Sequence, residues 1–247
     1  KPSKVISMGG YVSLPVSLAA FILRVPIELF ELNLVPGMAV KLLAPLANKI
    51  SVCFEDTKKF FSSNKVEYKN YPLRFQQNDK LSKIQACLKL NIDPIKKIIL
   101  ISGGSQGSTF LNNCILDFVN KNQKYLKNVH ILHQVGMCDP NNIKRVYTDN
   151  KISSTVFNYC SEINIHYSAA DLVICRAGAG TLFELEFFEK KSIIIPLQTN
   201  TTDHQIDNAK VFAKLRPDLF TLFDQSAIEK NSDKFYMELI AHINPVV

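Results

Sequence analysis

Short apolar runs recur at regular intervals from residue 96 onward, and longer segments with helical spacing separate most of them. Apolar runs without polar alternation are typical of strands that are buried on both faces. The predicted strands are Lys97–Ser102, Val129–Gln134, Thr155–Tyr159, Leu172–Cys175, Ser192–Leu197 and Phe220–Phe223. The predicted helices are Gln106–Asn120, Glu162–Ala169, Thr181–Glu189 and Asp203–Leu215. Strands that alternate with helices in this way indicate right-handed crossovers and a doubly wound parallel sheet.

The first 75 residues show the same alternation in shorter segments. The predicted strands are Val5–Met8, Ile27–Phe30, Ser51–Phe54 and Val66–Lys69, and the predicted helices are Ser13–Arg24 and Gly37–Lys49. Pro72 and the polar stretch Gln76–Asp79 predict a hinge. We therefore expect two α/β domains, at residues 1–75 and 76–247. Because four short strands make a thin sheet, we expect the first domain to be truncated at its N-terminal side.

The composition is that of an ordinary globular protein, with 47% hydrophobic and 21% charged residues in a chain of 247. It excludes a disordered chain, a collagen-like repeat and a small disulfide scaffold. The longest apolar run, Val12–Ile22, is too short to span a bilayer. Six scattered cysteines without metal-binding spacing predict reduced thiols in a cytoplasmic protein.

The net charge of +7 is concentrated at the front of the chain. Residues 1–75 contain ten Lys and Arg against five Asp and Glu, so 10 − 5 = +5 of the total lies there. A basic surface suits nucleic acid, an anionic membrane leaflet or a phosphorylated substrate. Since no RNA-binding motif or zinc-finger spacing is present, nucleic acid is not expected as a partner.

The segment Gly103–Ser108 follows one predicted strand directly and precedes a helix. Glycines permit close approach of the backbone, and a helix N-terminus attracts anions, so this turn predicts a phosphate site around Gly104, Ser105 and Gln106. The alternative is a tight turn that needs glycine only for its geometry. The pattern is neither the dinucleotide fingerprint nor the P-loop of nucleotide hydrolases.

A second turn of small residues, Arg176–Thr181, also connects a strand to a helix. Thr181 and Glu184 are three residues apart and share a helical face, which predicts either ligand contacts or a capping box with Thr181 as N-cap. Two such turns at the carboxyl ends of strands in one sheet form a crevice of the kind that binds nucleotides.

Further polar residues follow other predicted strands. Gln205 and Asn208 lie on one face of the last predicted helix. They are predicted either to bind sugar hydroxyls or to form a solvated helix surface. Glu31 follows the strand Ile27–Phe30 and is either a catalytic acid or base, a sugar clamp or an exposed loop carboxylate. Because there is no Asp-x-Asp pair, neither metal catalysis nor a cofactor is expected.

Taken together, the segments resemble the UDP-N-acetylglucosamine transferases of peptidoglycan synthesis, in glycosyltransferase family 28, which convert lipid I to lipid II. The matching motifs are Met8–Pro15 (MGGYVSLP), Phe30–Asn33 (FELN), Tyr71–Arg74 (YPLR), Gly103–Ser108 (GGSQGS), Cys175–Glu184 (CRAGAGTLFE) and Asp203–Ala209 (DHQIDNA). The resemblance implies a GT-B fold, in which two Rossmann-like doubly wound sheets face a cleft. The first domain would be the acceptor and membrane side, and the second would bind the UDP-sugar.

The resemblance also implies roles for individual residues. Phosphate contacts fall to Ser105 with its loop, to Ala179, Gly180 and Thr181, and to Arg74 at the hinge. Glu184 would hold the ribose, Gln205 and Asn208 the N-acetylglucosamine hydroxyls, and the backbone of Cys160 the uracil. Asn33 would reach the donor from the first domain.

The implied reaction is an inverting, metal-independent attack by the 4-hydroxyl of a lipid-linked N-acetylmuramyl-pentapeptide on UDP-N-acetylglucosamine. Such an enzyme serves cell wall biogenesis, cell shape and cell division as a peripheral protein on the cytoplasmic face of the plasma membrane. Its basic first domain would dock on the anionic leaflet that carries the undecaprenyl-linked acceptor. Phe21, near Arg24, Lys41 and Lys49, is the candidate contact, and the alternative is that Phe21 belongs to the core.

The chain departs from the family pattern at its acceptor side. Nothing matches the family's HGGTGGH loop, which carries a proposed catalytic histidine, and Phe30 and Leu32 replace a His and a Gln. Leu14 replaces a Gly, and the end at Val247 is short for the family's last helix. Two alternatives therefore stay open: another GT-B lipid glycosyltransferase, and a degenerate UDP-sugar-binding protein without turnover.

Overall fold

The chain divides into two units, Lys1–Pro72 and Leu73–Val247, each built on its own parallel sheet. The structure is a computed structural model and describes residues 2–62, 64–197 and 204–244. The boundary between the units falls directly after Pro72, one part of the predicted hinge, whereas the polar stretch Gln76–Asp79 contains a 3-10 turn of the second unit. The Gln76 N–H donates to Asp79 Oδ2 at 2.7 Å, and Asn164 Nδ2 donates to the Asp79 carbonyl at 3.2 Å. This segment is therefore anchored by hydrogen bonds to the second unit.

The first unit is a four-stranded sheet with the order β1-β2-β3-β4. Its elements are β1 (Val5–Ser7), α1 (Ser13–Ile22), β2 (Ile27–Glu31), α2 (Met38–Leu43), a 3-10 turn (Ala44–Leu46), β3 (Lys49–Val52), a 3-10 helix (Glu55–Phe60) and β4 (Val66–Tyr68). The predicted helix Gly37–Lys49 is wrong in its second half, since α2 ends at Leu43 and Lys49 begins β3. Pro45, which has no N–H to donate, lies in the 3-10 turn that ends this helical segment.

The second unit is a six-stranded parallel sheet with the order β10-β9-β8-β5-β6-β7. Its strands are β5 (Lys97–Ser102), β6 (Val129–Gln134), β7 (Ser153–Phe157), β8 (Leu172–Cys175), β9 (Ser192–Ile194) and β10 (Phe220–Leu222). Its helices are α3 (Lys83–Leu90), α4 (Thr109–Asn122), α5 (Pro140–Asp149), α6 (Ile163–Ala169), α7 (Ala179–Phe187), α8 (His204–Leu215), α9 (Gln225–Lys230) and α10 (Asp233–Ile243), with short 3-10 turns at Gln77–Asp79 and Gln123–Tyr125. The sequence patterns predicted all six strands but not α3, α5, α9 or α10.

The strand order of the second unit reverses between β5 and β8. The chain proceeds outward from β5 through β6 to β7, and then returns to β8 on the other side of β5. At such a switch point the loops that leave two neighbouring strands diverge and open a crevice at their carboxyl ends. Both glycine-containing turns predicted from the sequence, Gly103–Ser108 and Arg176–Thr181, leave the sheet there.

The central strands of this sheet are buried on both faces, which explains their uninterrupted apolar sequences. Every residue of β6 is buried, including His133. His133 Nδ1 lies 2.7 Å from the Tyr147 hydroxyl, and Nε2 lies 3.0 Å from Asn112 Oδ1. Asn112 Nδ2 in turn donates to the Val135 carbonyl at 3.2 Å. This network ties α4 and α5 to the end of β6, beside the crevice.

Candidate functional site

The turn after β5 is shaped by two glycines in the left-handed region, Gly104 at φ +84° and Gly107 at φ +78°. A Cβ on Gly107 would lie 2.4 Å from the Val135 carbonyl oxygen, so a side chain has no room there. The helix predicted from Gln106 therefore begins only at Thr109, and Ser105 and Gln106 are exposed in the turn. The turn requires glycine for its geometry and also presents two polar side chains to a ligand.

The helix α4 begins directly behind this turn. Ser108 is its N-cap, and Ser108 Oγ accepts a hydrogen bond from the Leu111 N–H at 3.3 Å. The first turn contains no acidic residue. The helix N-terminus therefore offers backbone N–H groups and a partial positive charge to an anion.

A cavity of about 480 Å³ lies between the two turns of the switch point. It is lined by Gly103, Gly104, Ser105, Gln106, Gly107, Ser108, Thr109, Phe110, Arg176, Gly178, Thr181, Leu197, Gln205 and Gln225. Five of the predicted site residues are in this set: Gly104, Ser105, Gln106, Thr181 and Gln205.

Arg176 is a residue of this cavity to which the sequence pattern assigned no role. Its side chain is buried, and Nε and Nη2 donate to Ser108 Oγ at 3.1 and 2.8 Å. Nη1 donates to the carbonyls of Ile195 and Pro196 and to Gln225 Oε1. Among the described residues no carboxylate forms an ion pair with it, and burial lowers the pKa of its guanidinium. A buried cation without a paired anion favours an anionic ligand in this cavity.

The turn Arg176–Thr181 does not form the predicted capping box. The helix α7 begins at Ala179 with Gly178 as N-cap, so Thr181 lies inside the first turn of the helix and is not its N-cap. Ala179 is buried and Gly180 is half-buried, and neither lines the cavity. The Glu184 side chain contacts other partners and does not return to the helix N-terminus.

A second cavity of about 190 Å³ adjoins the first and shares Gly104, Ser105 and Thr181 with it. Its full lining is Arg74, Ser102, Gly104, Ser105, Gln134, Tyr159, Cys160, Ile163, Tyr167, Thr181 and Glu184. Arg74, Cys160 and Glu184, which were predicted from three distant segments, are thus brought together here. Ser102, Gln134 and Tyr167 were not predicted.

Glu184 is the charged centre of this second cavity. Arg74 Nε donates to Glu184 Oε1 at 2.8 Å, and the buried Tyr167 hydroxyl donates to Oε2 at 3.2 Å. Burial opposes the charge of Arg74, but the hydrogen bond and charge of Glu184 outweigh it and raise the pKa of the guanidinium. Burial, with the charge of Glu184 nearby, raises the pKa of Tyr167. The carboxylate is therefore held in place as a hydrogen-bond acceptor.

Cys160 borders the same cavity beyond the end of β7. Its Sγ lies 3.5 Å from His166 Nδ1, and Nδ1 also lies 3.3 Å from the Glu162 carbonyl. Burial raises the pKa of the Cys160 thiol. The raised pKa disfavours the thiolate, so the sulfur is not an activated nucleophile, and a contact of the Cys160 backbone with uracil stays a prediction.

The two residues predicted from the last motif have different positions. Gln205 lines the first cavity, and its Oε1 accepts hydrogen bonds from the N–H groups of Ala177 and Leu197. Asn208 is fully buried and does not line either cavity, so the structure does not bring it to the site with Gln205. Asp203 of the same motif lies outside the described residues.

In the first unit, Glu31 is not the exposed loop carboxylate that was one alternative. It is 3% exposed, and its Oε1 accepts from the N–H of Asn33 at 2.9 Å and from Asn33 Nδ2 at 3.1 Å. Its Oε2 accepts from the Gly37 N–H at 2.9 Å. These bonds give Glu31 and Asn33 a structural role in fixing the loop between β2 and α2.

Across the residues that the structure describes, no three His, Cys, Asp or Glu side chains are grouped so that they could hold a metal ion. The positive groups near the two cavities are Arg74, Arg176 and the N-terminus of α4.

Comparison with family models gives two matches. The glycosyltransferase family 28 C-terminal domain matches residues 98–230, which include both cavities except for Arg74. The glycosyltransferase family 28 N-terminal domain matches residues 1–52.

Curated proteins and a solved structure are also similar. Two relatives, from Thermosipho africanus and Caldicellulosiruptor saccharolyticus, are named UDP-N-acetylglucosamine--N-acetylmuramyl-(pentapeptide) pyrophosphoryl-undecaprenol N-acetylglucosamine transferase. They are 38% and 34% identical over 87% and 98% of this chain, which spans 58% and 65% of their own lengths. A crystal structure of Acinetobacter baumannii MurG is 27% identical with a TM-score of 0.73, over 97% of this chain and 66% of that one.

Proposed function

This chain belongs to glycosyltransferase family 28, and on that premise we propose that it transfers N-acetylglucosamine from UDP-N-acetylglucosamine to lipid I, forming lipid II. Its two parallel α/β units confirm the predicted GT-B fold class. The acceptor hydroxyl is the 4-hydroxyl of the lipid-linked N-acetylmuramyl-pentapeptide. The activity for which the longer relatives are named supports this proposal.

The observation that carries the proposal is the pair of adjoining cavities in the second unit. The smaller cavity has a held carboxylate, and the larger one has a buried cation and a helix N-terminus. A nucleoside diphosphate sugar has the complementary chemistry: hydroxyl donors on the ribose, followed by a diphosphate anion. We assign the nucleoside to the smaller cavity and the diphosphate with the sugar to the larger one.

The Arg74–Glu184 pair gives this assignment a mechanism of binding. In the free protein these two side chains bond to each other. When a UDP-sugar binds, the ribose hydroxyls donate to Glu184, and Arg74 turns its N–H groups to the diphosphate. Each charged group thus exchanges one charge-assisted hydrogen bond for another, so the net cost of breaking the pair is small.

The reaction in this proposal is an inverting displacement in which UDP leaves as the acceptor hydroxyl attacks the anomeric carbon. Negative charge grows on the leaving diphosphate, beside Arg176, Arg74 and the N–H groups at the start of α4. Fixed positive groups of this kind stabilise charge without reorganising at the moment of reaction. The chain therefore activates the leaving group with its own residues.

The first unit is proposed as the acceptor and membrane side. Among the described residues no helix is long and apolar enough to cross a bilayer. The end of α1 instead exposes apolar side chains: Phe21 is 53%, Ile22 78% and Leu23 59% exposed, so Phe21 does not belong to the core. Arg24 and Lys41 are exposed in the same unit, whereas Lys49 is paired with Glu67 at 2.7 Å. We propose that this surface docks on the anionic cytoplasmic leaflet.

The first experiment is a calorimetric titration of the chain with UDP-N-acetylglucosamine, with UDP-glucose as the comparison ligand. We expect the N-acetyl sugar to bind more tightly, and we expect Glu184→Ala to weaken binding at least tenfold while Glu238→Ala on α10 leaves it unchanged. If the chain binds neither sugar nucleotide, the proposed donor site is wrong.

The second experiment measures transfer of labelled N-acetylglucosamine to a lipid I analogue in detergent micelles. Transfer to this acceptor supports the proposed reaction. Donor binding without transfer favours the degenerate sugar-nucleotide-binding protein, and preference for a diacylglycerol acceptor favours another lipid glycosyltransferase.

A further inference from the structure

Gln134 is a buried polar residue that borders the smaller cavity. It is the last residue of β6, is 5% exposed and lies in register with Ser102, the last residue of β5. The Ser102 hydroxyl donates to Gln134 Oε1 at 2.8 Å. Since paired residues on neighbouring strands point to the same face, the hydroxyl fixes the orientation of the amide.

The other end of the amide is available to a ligand. No described residue accepts a hydrogen bond from Gln134 Nε2. This nitrogen is also not one of the fully buried side-chain atoms that lack a hydrogen-bond partner, so solvent reaches it. Gln134 exposes only 5% of its surface and lines the cavity, so the cavity is the route by which a ligand would reach its amide. A buried N–H donor without an acceptor is costly, so a ligand that accepts from it gains affinity and selectivity.

The position of Gln134 indicates which part of a ligand it contacts. Glu184 follows β8 and Gln134 ends β6, with β5 between them, so two strand spacings of about 4.8 Å separate the two ends of the cavity. A nucleoside that donates its ribose hydroxyls to Glu184 therefore places its base towards Gln134. Cys160 and Ile163 border the cavity as well.

We infer that Gln134 is a specificity-determining residue whose Nε2 donates a hydrogen bond to a carbonyl oxygen of the uracil ring, with Ser102 holding the amide in that orientation. This inference rests on the proposed function, because it requires a uridine nucleotide in the smaller cavity. It adds a side-chain contact to a base that is otherwise expected to contact only the backbone of Cys160.

The test combines one variant with two altered ligands. Gln134→Met keeps the length of the side chain and removes the N–H donor. Calorimetry gives the affinities of the wild type and the variant for UDP, 2-thio-UDP and 4-thio-UDP, in which sulfur, a weak acceptor, replaces one carbonyl oxygen. We expect the variant to bind UDP about tenfold more weakly, which corresponds to about 1.4 kcal/mol.

The test compares the loss of affinity caused by Gln134→Met for the three ligands. For the thio analogue altered at the contacted carbonyl, we expect the wild type and Gln134→Met to bind with equal affinity, because the hydrogen bond is already lost. If the variant loses the same factor for all three ligands, or none for UDP, Gln134 does not contact a carbonyl and the inference is wrong. If the wild type does not bind UDP at all, the proposed function itself fails.

Two further variants separate recognition from folding. Gln123→Met makes the same change at an exposed glutamine that precedes β6, at the other end of the strand from Gln134, where the amide donates to Asn150. It should leave all nucleotide affinities unchanged, whatever the lost bond to Asn150 does to stability. Ser102→Ala releases Gln134 Oε1, and we expect a smaller loss for UDP, of about threefold, that disappears when it is combined with Gln134→Met.

Discussion

The two units share a parallel α/β plan but differ in the candidate binding surface that each presents. In the first unit, α1 and the loop after it expose large apolar side chains, such as Ile22 at 78% and Leu23 at 59%. In the second unit, β6 is buried throughout, and the polar residues His133 and Arg176 are enclosed with their hydrogen-bond partners.

This difference indicates two kinds of binding surface. A buried polar network holds side chains in one geometry, as recognition of a small ligand requires. An exposed apolar surface beside basic residues suits a broad contact with a membrane, which needs no such precision. Each unit therefore responds to a different set of perturbations, and calorimetric unfolding of the whole chain can follow both if each unit unfolds with its own transition.

The largest expected contrast between the units is their response to acid. All five histidines lie in the second unit, where burial lowers the pKa of His133 to about 3 and burial with the nearby charge of Lys96 lowers that of His130 to about 4. Below pH 6.5 these histidines become protonated in the unfolded chain but stay neutral in the native state. The free energy of unfolding therefore falls by about 1.4 kcal/mol per pH unit for each of the two histidines. We expect this unit to lose about 5 kcal/mol between pH 6.5 and 4.5.

The first unit should resist the same change. Its most shifted carboxyl is Glu28, where hydrogen bonds from Lys69 and Lys4 lower the pKa from 4.5 to about 2, so that stabilisation is lost only as the pH falls below about 4.5. In calorimetric scans, UDP identifies the transition of the second unit by raising its unfolding temperature. Between pH 6.5 and 4.5 that unfolding temperature should fall, while the unfolding temperature of the first unit stays the same. Parallel movement of both transitions would contradict the comparison, and His133→Gln should remove about half of the acid response.

The next largest effect is expected at Arg176. Arg176→Met removes the donors to Ser108, to two carbonyls and to Gln225, so we expect the second unit to lose about 3 kcal/mol of stability. Loss of the buried cation should also weaken UDP binding about 100-fold. Calorimetric unfolding and titration measure the two effects, with the exposed Arg145→Met as the control. Unchanged UDP affinity in a folded Arg176→Met protein would exclude an electrostatic role.

The sequence predicted the strands of this site better than its side chains. The bounds of β5, β6 and β8 were correct, because strands buried on both faces have uninterrupted apolar sequences. The start of α4 was wrong by three residues, because Gly104 and Gly107 adopt positive φ angles that no apolar pattern reveals.

The roles of Arg176 and Asn208 show a limit of local patterns. The partners of Arg176 are Ser108, Ile195, Pro196 and Gln225, which lie in three other segments, so its burial depends on the sheet order. Asn208 shares a predicted helix face with Gln205, yet it is fully buried, because the packing of α8 and not the i, i+3 spacing decides which side chain reaches the cavity. The local signal that could have indicated a role for Arg176 is its position beside the turn of small residues that follows β8.

A smaller effect is expected at Glu184, which would sharpen the ligand assignment of the second unit. Glu184→Gln keeps the shape of the side chain but removes the charged acceptor, so UDP should bind about tenfold more weakly. For 2′-deoxy-UDP the wild type and the variant should bind nearly equally, since the ribose donor is already missing. Glu186→Gln on the same helix, where the partner is Arg216, is the matched control. An equal loss for both nucleotides would show that Glu184 does not contact the 2′-hydroxyl.

The smallest effect, at Arg24, has opposite signs for stability and membrane binding. Arg24 has φ +52°, a left-handed conformation that costs a side-chain-bearing residue about 1–2 kcal/mol and glycine almost nothing. After the larger chain entropy of unfolded glycine is subtracted, Arg24→Gly should stabilise the first unit by about 0.5 kcal/mol.

Loss of one basic residue at Arg24 should weaken binding to phosphatidylglycerol vesicles, measured by sedimentation, by about 1 kcal/mol, or about fivefold, and leave UDP affinity unchanged. Arg24→Lys, which keeps the charge, should bind vesicles as the wild type does. If Arg24→Gly binds these vesicles as tightly as the wild type, Arg24 is not part of the membrane-docking surface.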